Sequence, residues 1–390
     1  MDQNLVIMKF IKNLYNKTSE LIRELFKDSK LKIAVLTPSY GFDGQGNVID
    51  WQVRDLKDNG YEVSIFTLES DRDAPAGVDL HVIGAPRNSI LKLIYHLLLP
   101  LWFNKIIKFV PKLKEYDLII CHHNSVAWLA YFAKKLWNKP YIFHCHTINP
   151  PYVFKKFTHK IYNYINHLIY NFLVKNSDYT ISISYFVKKI IFENTNKESF
   201  VIYNKIFKNK FLSIENKNKI RGKYNIKESD YVILFVGRLT YHKGVDLLIK
   251  AFRIVKQKIP NSKLIIVGSP QTMDYLIELY KLADNNVIFA GFVPDDELPY
   301  YYAICDVYAT CSLYEGFNLP LVEAQLAGKP VIAFDIGPHK EIVKSGYLVE
   351  PLNIDEFAEK LINLLMKVSL PKERRKIARR CLKSCQKLIE

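Results

Sequence analysis

The chain has 390 residues, of which 49% are hydrophobic and 24% charged, and carries a formal net charge of +16. That length suits two domains that each bury a core, and the apolar content excludes a disordered chain. The longest uncharged apolar run, Leu93 to Asn104, spans twelve residues and contains His96 and Pro100, well short of the roughly twenty that a membrane span needs.

The six cysteines are scattered, and only Cys381 and Cys385 stand close together. They lack metal-ligand spacing, so the expectation is reduced thiols in a cytoplasmic protein, with neither disulfide nor zinc. Residues 1–30 show no signal-peptide pattern. The charge is uneven: residues 80–190 hold fifteen Lys or Arg against Glu115, Asp117 and Asp178. Such a field attracts acidic lipid, polyphosphate or nucleic acid. No nucleic-acid recognition motif accompanies it, and plain lysine-rich surface composition is the alternative.

In chain order, Ile7, Ile11, Leu14, Leu21 and Leu25 recur at helical spacing and predict an amphipathic helix over 5–26, within an N-terminal segment 1–30. This helix is read as an appendage, with core packing and attachment to a membrane surface both open. A first α/β domain is expected over 31–204. Its strands are 31–37, 61–69, 117–123, 140–147, 178–184 and 199–204; a Gly-rich turn (Gly41, Gly44, Gly46) precedes a helix at 48–59. The Lys- and Asn-rich stretch 205–228 reads as a linker. The alternation restarts over 229–390, with strands at 231–237, 263–268, 286–291, 307–311, 330–334 and 347–351 and a basic tail. Two successive runs of βαβ units predict two facing Rossmann-like domains with a cleft, into which the carboxyl ends of the strands open.

Four places carry chemistry. Gly44 and Gly46 lie between a strand and a helix, where backbone N–H groups can approach a phosphate or an acceptor hydroxyl, although a structural turn explains them equally well. Arg238 and Lys243 share a strand-to-helix loop, and fixed cations there stabilise the charge that builds on a departing diphosphate. Glu315 and Glu323 stand eight residues apart in EGFNLPLVE; carboxylates suit vicinal hydroxyls of a ribose and of a sugar. His146 ends the strand at 140–145, with His122, His123 and His144 competing for any role.

The segments GRLTYHKGVDLLIKAF, GFVPDDELPYYYAICDVYATCSLYEGFNLPLVEAQLAGKPVIAF and GPHKEIV resemble family 4 glycosyltransferases of the GT-B fold. The resemblance covers most of residues 31–360. It implies a retaining transferase that takes a nucleotide-sugar as substrate and requires no metal or other cofactor. Arg238 and Lys243 would bind the donor diphosphate, Glu315 the transferred sugar and Glu323 the ribose. Gly237, Phe292, Gly316, Phe317, Asn318 and Leu319 fall in the matched donor-binding segments, and His146 matches a first-domain histidine that contacts the sugar. Ser184 and Asn204 match landmarks before the linker. The chain departs from the family pattern at GFDGQG, where adjacent glycines are usual, and at Asn318, where Gly is commoner.

The reading is therefore a glycosyltransferase acting on a glycan or lipid-linked acceptor and binding no nucleic acid. An epimerase, a sugar-phosphate synthase or a non-catalytic donor-binding subunit on the same fold are the alternatives. Residues 88–114, with Lys92, Lys105, Lys108, Lys112 and Lys114 among Leu, Ile, Trp102, Phe103 and Phe109, suggest peripheral contact with an anionic membrane surface; packing of that segment into its own domain is the competing expectation.

Overall fold

A computed structural model describes residues 17–27, 30–42, 44–86, 88, 91, 94–95, 102–146, 157–206, 211 and 218–389. The chain divides into two compact units that meet in sequence between Lys205 and Ile206.

The first unit runs α1 (Thr18–Phe26), β1 (Lys32–Tyr40), α2 (Gly44–Asp58), β2 (Glu62–Ser70), β3 (Asp79–Val82), α3 (Phe103–Phe109), a 3₁₀ turn (Pro111–Glu115), β4 (Leu118–Cys121), α4 (Asn124–Trp137), β5 (Tyr141–Cys145), α5 (Phe157–Asn176), β6 (Tyr179–Ser182), α6 (Tyr185–Thr195) and β7 (Phe200–Val201). Its strands form one parallel sheet in the order β3-β2-β1-β4-β5-β6-β7. Ile33, Ala34, Val35 and Leu36 of β1 and all four residues of β4 form apolar runs because central parallel strands are buried on both faces. Asp117, just before β4, accepts from the backbone N of Lys32 at 2.9 Å, and Asp178, before β6, does the same for Tyr141 at 2.9 Å. Each carboxylate thereby satisfies the first amide of the neighbouring strand and pins its register.

The predicted N-terminal helix is described from Lys17 onward, and there it is no appendage. Leu21 and Ile22 are fully buried in the same cluster as Ile33, Val35, Ile49 and Val53. Its earlier residues lie outside those described. The described part of 88–114 faces both ways, with Leu91, Ile94 and Ile107 exposed. Phe109, Val110 and Leu113 are buried, and the Lys105 ammonium donates to the Ile83 carbonyl. The short strand β3 was not anticipated, because Asp79–Val82 lies at the sheet's edge and carries no apolar run.

The second unit runs α7 (Asn218–Lys223), β8 (Tyr231–Val236), a 3₁₀ turn (Tyr241–Lys243), α8 (Val245–Lys258), β9 (Ser262–Val267), α9 (Met273–Leu282), β10 (Val287–Gly291), α10 (Leu298–Ile304), β11 (Val307–Thr310), α11 (Leu319–Leu326), β12 (Val331–Phe334), α12 (His339–Ile342), β13 (Gly346–Val349), α13 (Ile354–Ser369) and α14 (Pro371–Ile389). A second parallel sheet follows the order β10-β9-β8-β11-β12-β13. In α8 the residues Val245, Leu248, Ile249, Phe252 and Val255 are buried, a 3–4 spacing that turns one helix face onto the sheet. Each such side chain contributes about 1.5–3 kcal/mol by leaving water. Part of the stretch read as a linker belongs to this unit: Ile220 and Ile226 are buried, and the Tyr224 hydroxyl meets that of Tyr301 at 3.0 Å. Its lysines and asparagines masked two well-spaced apolar anchors. Among the described residues no helix is long and apolar enough to cross a membrane.

Candidate active site

In the second sheet the chain's winding reverses between β8 and β11, and ligands of such sheets bind beyond the carboxyl ends of the strands at that point. Two of the sequence motifs leave from there. Gly237 and Arg238 follow β8, and Glu315 to Asn318 connect β11 to α11. The two loops are pressed together. The backbone N of Leu313 donates to the His242 carbonyl at 2.7 Å, and the Lys243 ammonium donates to Glu315 Oε1 at 2.6 Å. Gly244 has φ +60°, and a Cβ there would stand 2.1 Å from the Cys311 carbonyl oxygen. Only glycine serves where a left-handed residue must also lie against a neighbouring backbone.

Charge at this junction is tightly arranged. Burial pushes the Glu315 carboxyl up, but the Lys243 ammonium, aided by His339 and a hydrogen bond from Ser312, outweighs it and holds the group below the usual carboxylate range. Glu315 is therefore an anion at neutral pH. Burial, and then the neighbouring Lys243, push His242 down to about 4, so it is neutral. His339 is also lowered by burial, against the pull of Glu315; its Nδ1–H donates to the Phe334 carbonyl at 2.7 Å. That leaves Nε2 to accept from Asn318 Nδ2 at 3.0 Å. Asn318 adopts φ +73°, the left-handed region that asparagine tolerates better than other side chains, which explains why it can stand at a glycine position. Glu323 accepts from the Tyr302 hydroxyl at 2.7 Å. Burial, and then Glu323, hold that phenol well above its ordinary value, so Tyr302 stays a donor and orients the carboxylate.

Gly237, Arg238, Lys243, Glu315, Gly316, Phe317, Asn318, Leu319 and Glu323 thus gather at the β8/β11 junction. Arg238 is exposed on its loop, and Gly316 and Phe317 are buried in theirs. Phe292 stands apart, 63% exposed beyond the edge strand β10, two strands from β8.

The first unit has its own reversal between β1 and β4. The helix after β1 begins at Gly44 rather than near Val48, so Gly44 and Gly46 belong to the first turn of α2 and not to an open loop. A Cβ on Gly46 would stand 2.0 Å from the Gly41 carbonyl oxygen, so the tight entry into the helix accounts for that glycine. His123 caps α4 by accepting from the Ser125 backbone N at 3.1 Å. Ser184 caps α6 through the Val187 backbone N at 3.0 Å.

His146, just past β5, joins His122 and His144. His122 Nε2 donates to Gln52 Oε1 at 2.7 Å, so its Nδ1 accepts from His146 Nε2 at 2.8 Å. Gln52 Nε2 donates to Thr18 Oγ1 at 2.8 Å and lies 3.2 Å from His144 Nδ1. Burial holds His122 and His144 well below their ordinary value and pushes His146 down to about 4. The rings are neutral, and the chain of bonds fixes His146 as the Nε2–H tautomer with Nδ1 as its acceptor nitrogen. The three rings offer ligand atoms within 4.8 Å of one another, a spacing that a divalent transition metal can use; both His122 nitrogens and His146 Nε2 are in hydrogen bonds here. Gln52 was missed because a glutamine inside a helix carries no motif. His144 could have been paired with His146, since side chains two apart on a strand share a face.

Two family models match the chain: glycosyltransferase family 4 over residues 42–206 and glycosyl transferases group 1 over 216–381. An uncharacterized 41.2 kDa protein in the cps region of Klebsiella pneumoniae is 30% identical over 65% of this chain and 70% of its own length. The lipopolysaccharide 1,2-N-acetylglucosaminetransferase of Salmonella typhimurium is 31% identical over 41% of this chain and 45% of its own. Several curated relatives are covered over less than half of their length. Among solved structures, Anabaena HepE in complex with UDP and glucose aligns with TM-score 0.74 and 23% identity, covering 92% of this chain and 95% of that one. Together the two family models span most of the chain and the fold matches along nearly its whole length: the chain belongs to the family 4 glycosyltransferases of the GT-B fold.

Proposed function

We propose that the protein transfers a sugar from a nucleoside diphosphate sugar to an acceptor hydroxyl with retention of anomeric configuration, without a bound metal. The acceptor is a glycan or a lipid-linked saccharide presented at an anionic membrane surface. The observation that carries this reading is the Lys243–Glu315 pair at 2.6 Å beside Arg238. Lys243 keeps two further N–H donors for phosphate oxygens, and Arg238 supplies a planar fork from the same loop. As the bond from the anomeric carbon to the β-phosphate oxygen breaks, both cations hold the departing diphosphate. The acceptor oxygen bonds to the anomeric carbon on the face that the diphosphate leaves, and its proton passes to a β-phosphate oxygen. Glu315, held ionised, accepts from sugar hydroxyls and offsets positive charge developing at the anomeric carbon. Glu323, steered by Tyr302, takes the ribose hydroxyls.

The two glutamates separate this reading from a generic anion site. Glu323→Gln is expected to weaken calorimetric binding of the matching nucleoside diphosphate by about tenfold, the scale of one lost charge-assisted hydrogen bond. Glu315→Gln is expected to leave that binding within about threefold of wild type while lowering transfer by roughly a hundredfold. Equal losses of binding in both variants would mean that the roles are misassigned.

A further inference from the structure

Helix α5 is built inside out. Its buried residues include Asn163 and Asn166 beside Tyr170, Leu173 and Val174, and the Asn166 amide oxygen accepts from Asn124 Nδ2 at 2.7 Å. Facing away from that packing are Ile161, Tyr164, Ile165, Leu168 and Phe172, exposed by 46, 59, 39, 53 and 42%. At about 100° per residue these five fall within a stripe of about 100° along one side of the helix. Isolated exposed apolar side chains need no explanation, but an unbroken row of large ones marks a contact surface. Aromatic rings of α4 extend it: Tyr131 lies 5.2 Å and Trp128 5.8 Å from Phe172.

The charges around the row select its partner. Helices α4 and α5 contain Lys134, Lys135, Lys160 and Lys175 and no acidic residue. Lys134 is paired with Asp178 at 2.7 Å, while Lys135, Lys160 and Lys175 are exposed. Lys160 and Lys175 stand near opposite ends of the row, about 22 Å apart at 1.5 Å per residue. A second copy of this surface would bring lysine against lysine. An anionic bilayer offers what the row asks for: an apolar boundary for Ile165, Leu168 and Phe172, an interfacial level for Tyr164, and phosphates for the lysines. We propose that the outer face of α5 docks the first unit onto an anionic lipid surface, its apolar row entering the headgroup–acyl boundary. This deepens the reading of a membrane-presented acceptor and lies outside the segment 88–114 on which the sequence had placed such contact.

The test is co-sedimentation of the full chain with phosphatidylglycerol–phosphatidylcholine vesicles and with phosphatidylcholine alone. The wild type is expected to sediment with the anionic vesicles, less so as salt rises, and to stay in solution with the neutral ones. Ile165→Ser/Leu168→Ser should lower vesicle binding at least tenfold, and Lys160→Gln/Lys175→Gln should weaken it about fivefold per lysine. Both substituted faces are exposed, so thermal unfolding and nucleoside diphosphate binding should match the wild type. Absence of the wild type from anionic vesicles, or unchanged binding in Ile165→Ser/Leu168→Ser, overturns the proposal. So does a wild-type dimer by light scattering that the same pair of substitutions disperses, since it assigns the row to a second copy. The assay reads lipid alone: vesicle binding without donor turnover would sink the proposed function and leave the docking face standing.

Discussion

Lys243→Ala is expected to lower kcat by about 10²–10³, the scale of one lost preorganised charge contact in the transition state. It should also change how stability depends on pH. In the wild type the Glu315 carboxyl is held below its ordinary value by Lys243 against burial, so its contribution to stability is present above the unfolded carboxylate range and is lost as pH falls through the lowered value. Without the ammonium, burial is opposed only by the weaker pull of His339 and the Ser312 hydrogen bond. The carboxyl then titrates above its unfolded value, and the variant gains stability as pH falls through that raised value. At neutral pH an uncompensated buried carboxylate costs about 3–5 kcal/mol. Thermal unfolding at acid and neutral pH, alongside donor turnover, measures both effects. Adding Glu315→Gln to Lys243→Ala should restore most of the stability and none of the activity. If the single variant turns over normally, the diphosphate assignment is wrong.

Gly244→Ala should be as damaging without removing any charge. The residue sits at φ +60°, and its new Cβ would meet the Cys311 carbonyl carbon as well as the oxygen. Neither atom can move without shifting the end of β11. Left-handed strain alone costs about 1–3 kcal/mol, and relief requires the Tyr241–Lys243 turn to lift away from Glu315. The expected result is a lowered Tm together with loss of nucleoside diphosphate binding, although Lys243 and Glu315 are both still present. A variant with wild-type Tm and wild-type calorimetry would show that the two loops need not touch.

The fold was legible because two runs of apolar strands alternate with helices of 3.6 periodicity, and parallel strands buried on both faces leave that mark in any chain. Arg238, Lys243, Glu315 and Glu323 were legible for a different reason: each belongs to a motif at a strand-to-helix loop. What joins them was not. The Lys243–Glu315 bond spans 72 residues of sequence, and the neutral His242 and His339 that frame it depend on burial, which spacing does not report. Gln52 acquires its place only when α2 packs against β1 and β2 and its amide reaches His122 and His144. Gly44 and Gly46 read two ways, since a glycine-rich stretch marks a ligand loop and the crowded first turn of a helix alike. The outer face of α5 was hidden for the opposite reason: its apolar spacing is that of an ordinary core helix, and only the burial of Asn163 and Asn166 reveals which side faces out.

The proposed transfer depends above all on recognition of the donor diphosphate by Arg238 and Lys243. The most direct measurement is calorimetric titration of the wild type and of Arg238→Ala/Lys243→Ala with a nucleoside, its monophosphate and its diphosphate, taken across uridine, guanosine and adenosine. For one base the wild type is expected to bind the diphosphate at least a hundredfold more tightly than the nucleoside, two charge-assisted contacts being worth about 3 kcal/mol or more. The double variant is expected to lose that preference while still binding the nucleoside. A double variant that keeps the wild-type preference for diphosphate would contradict the account.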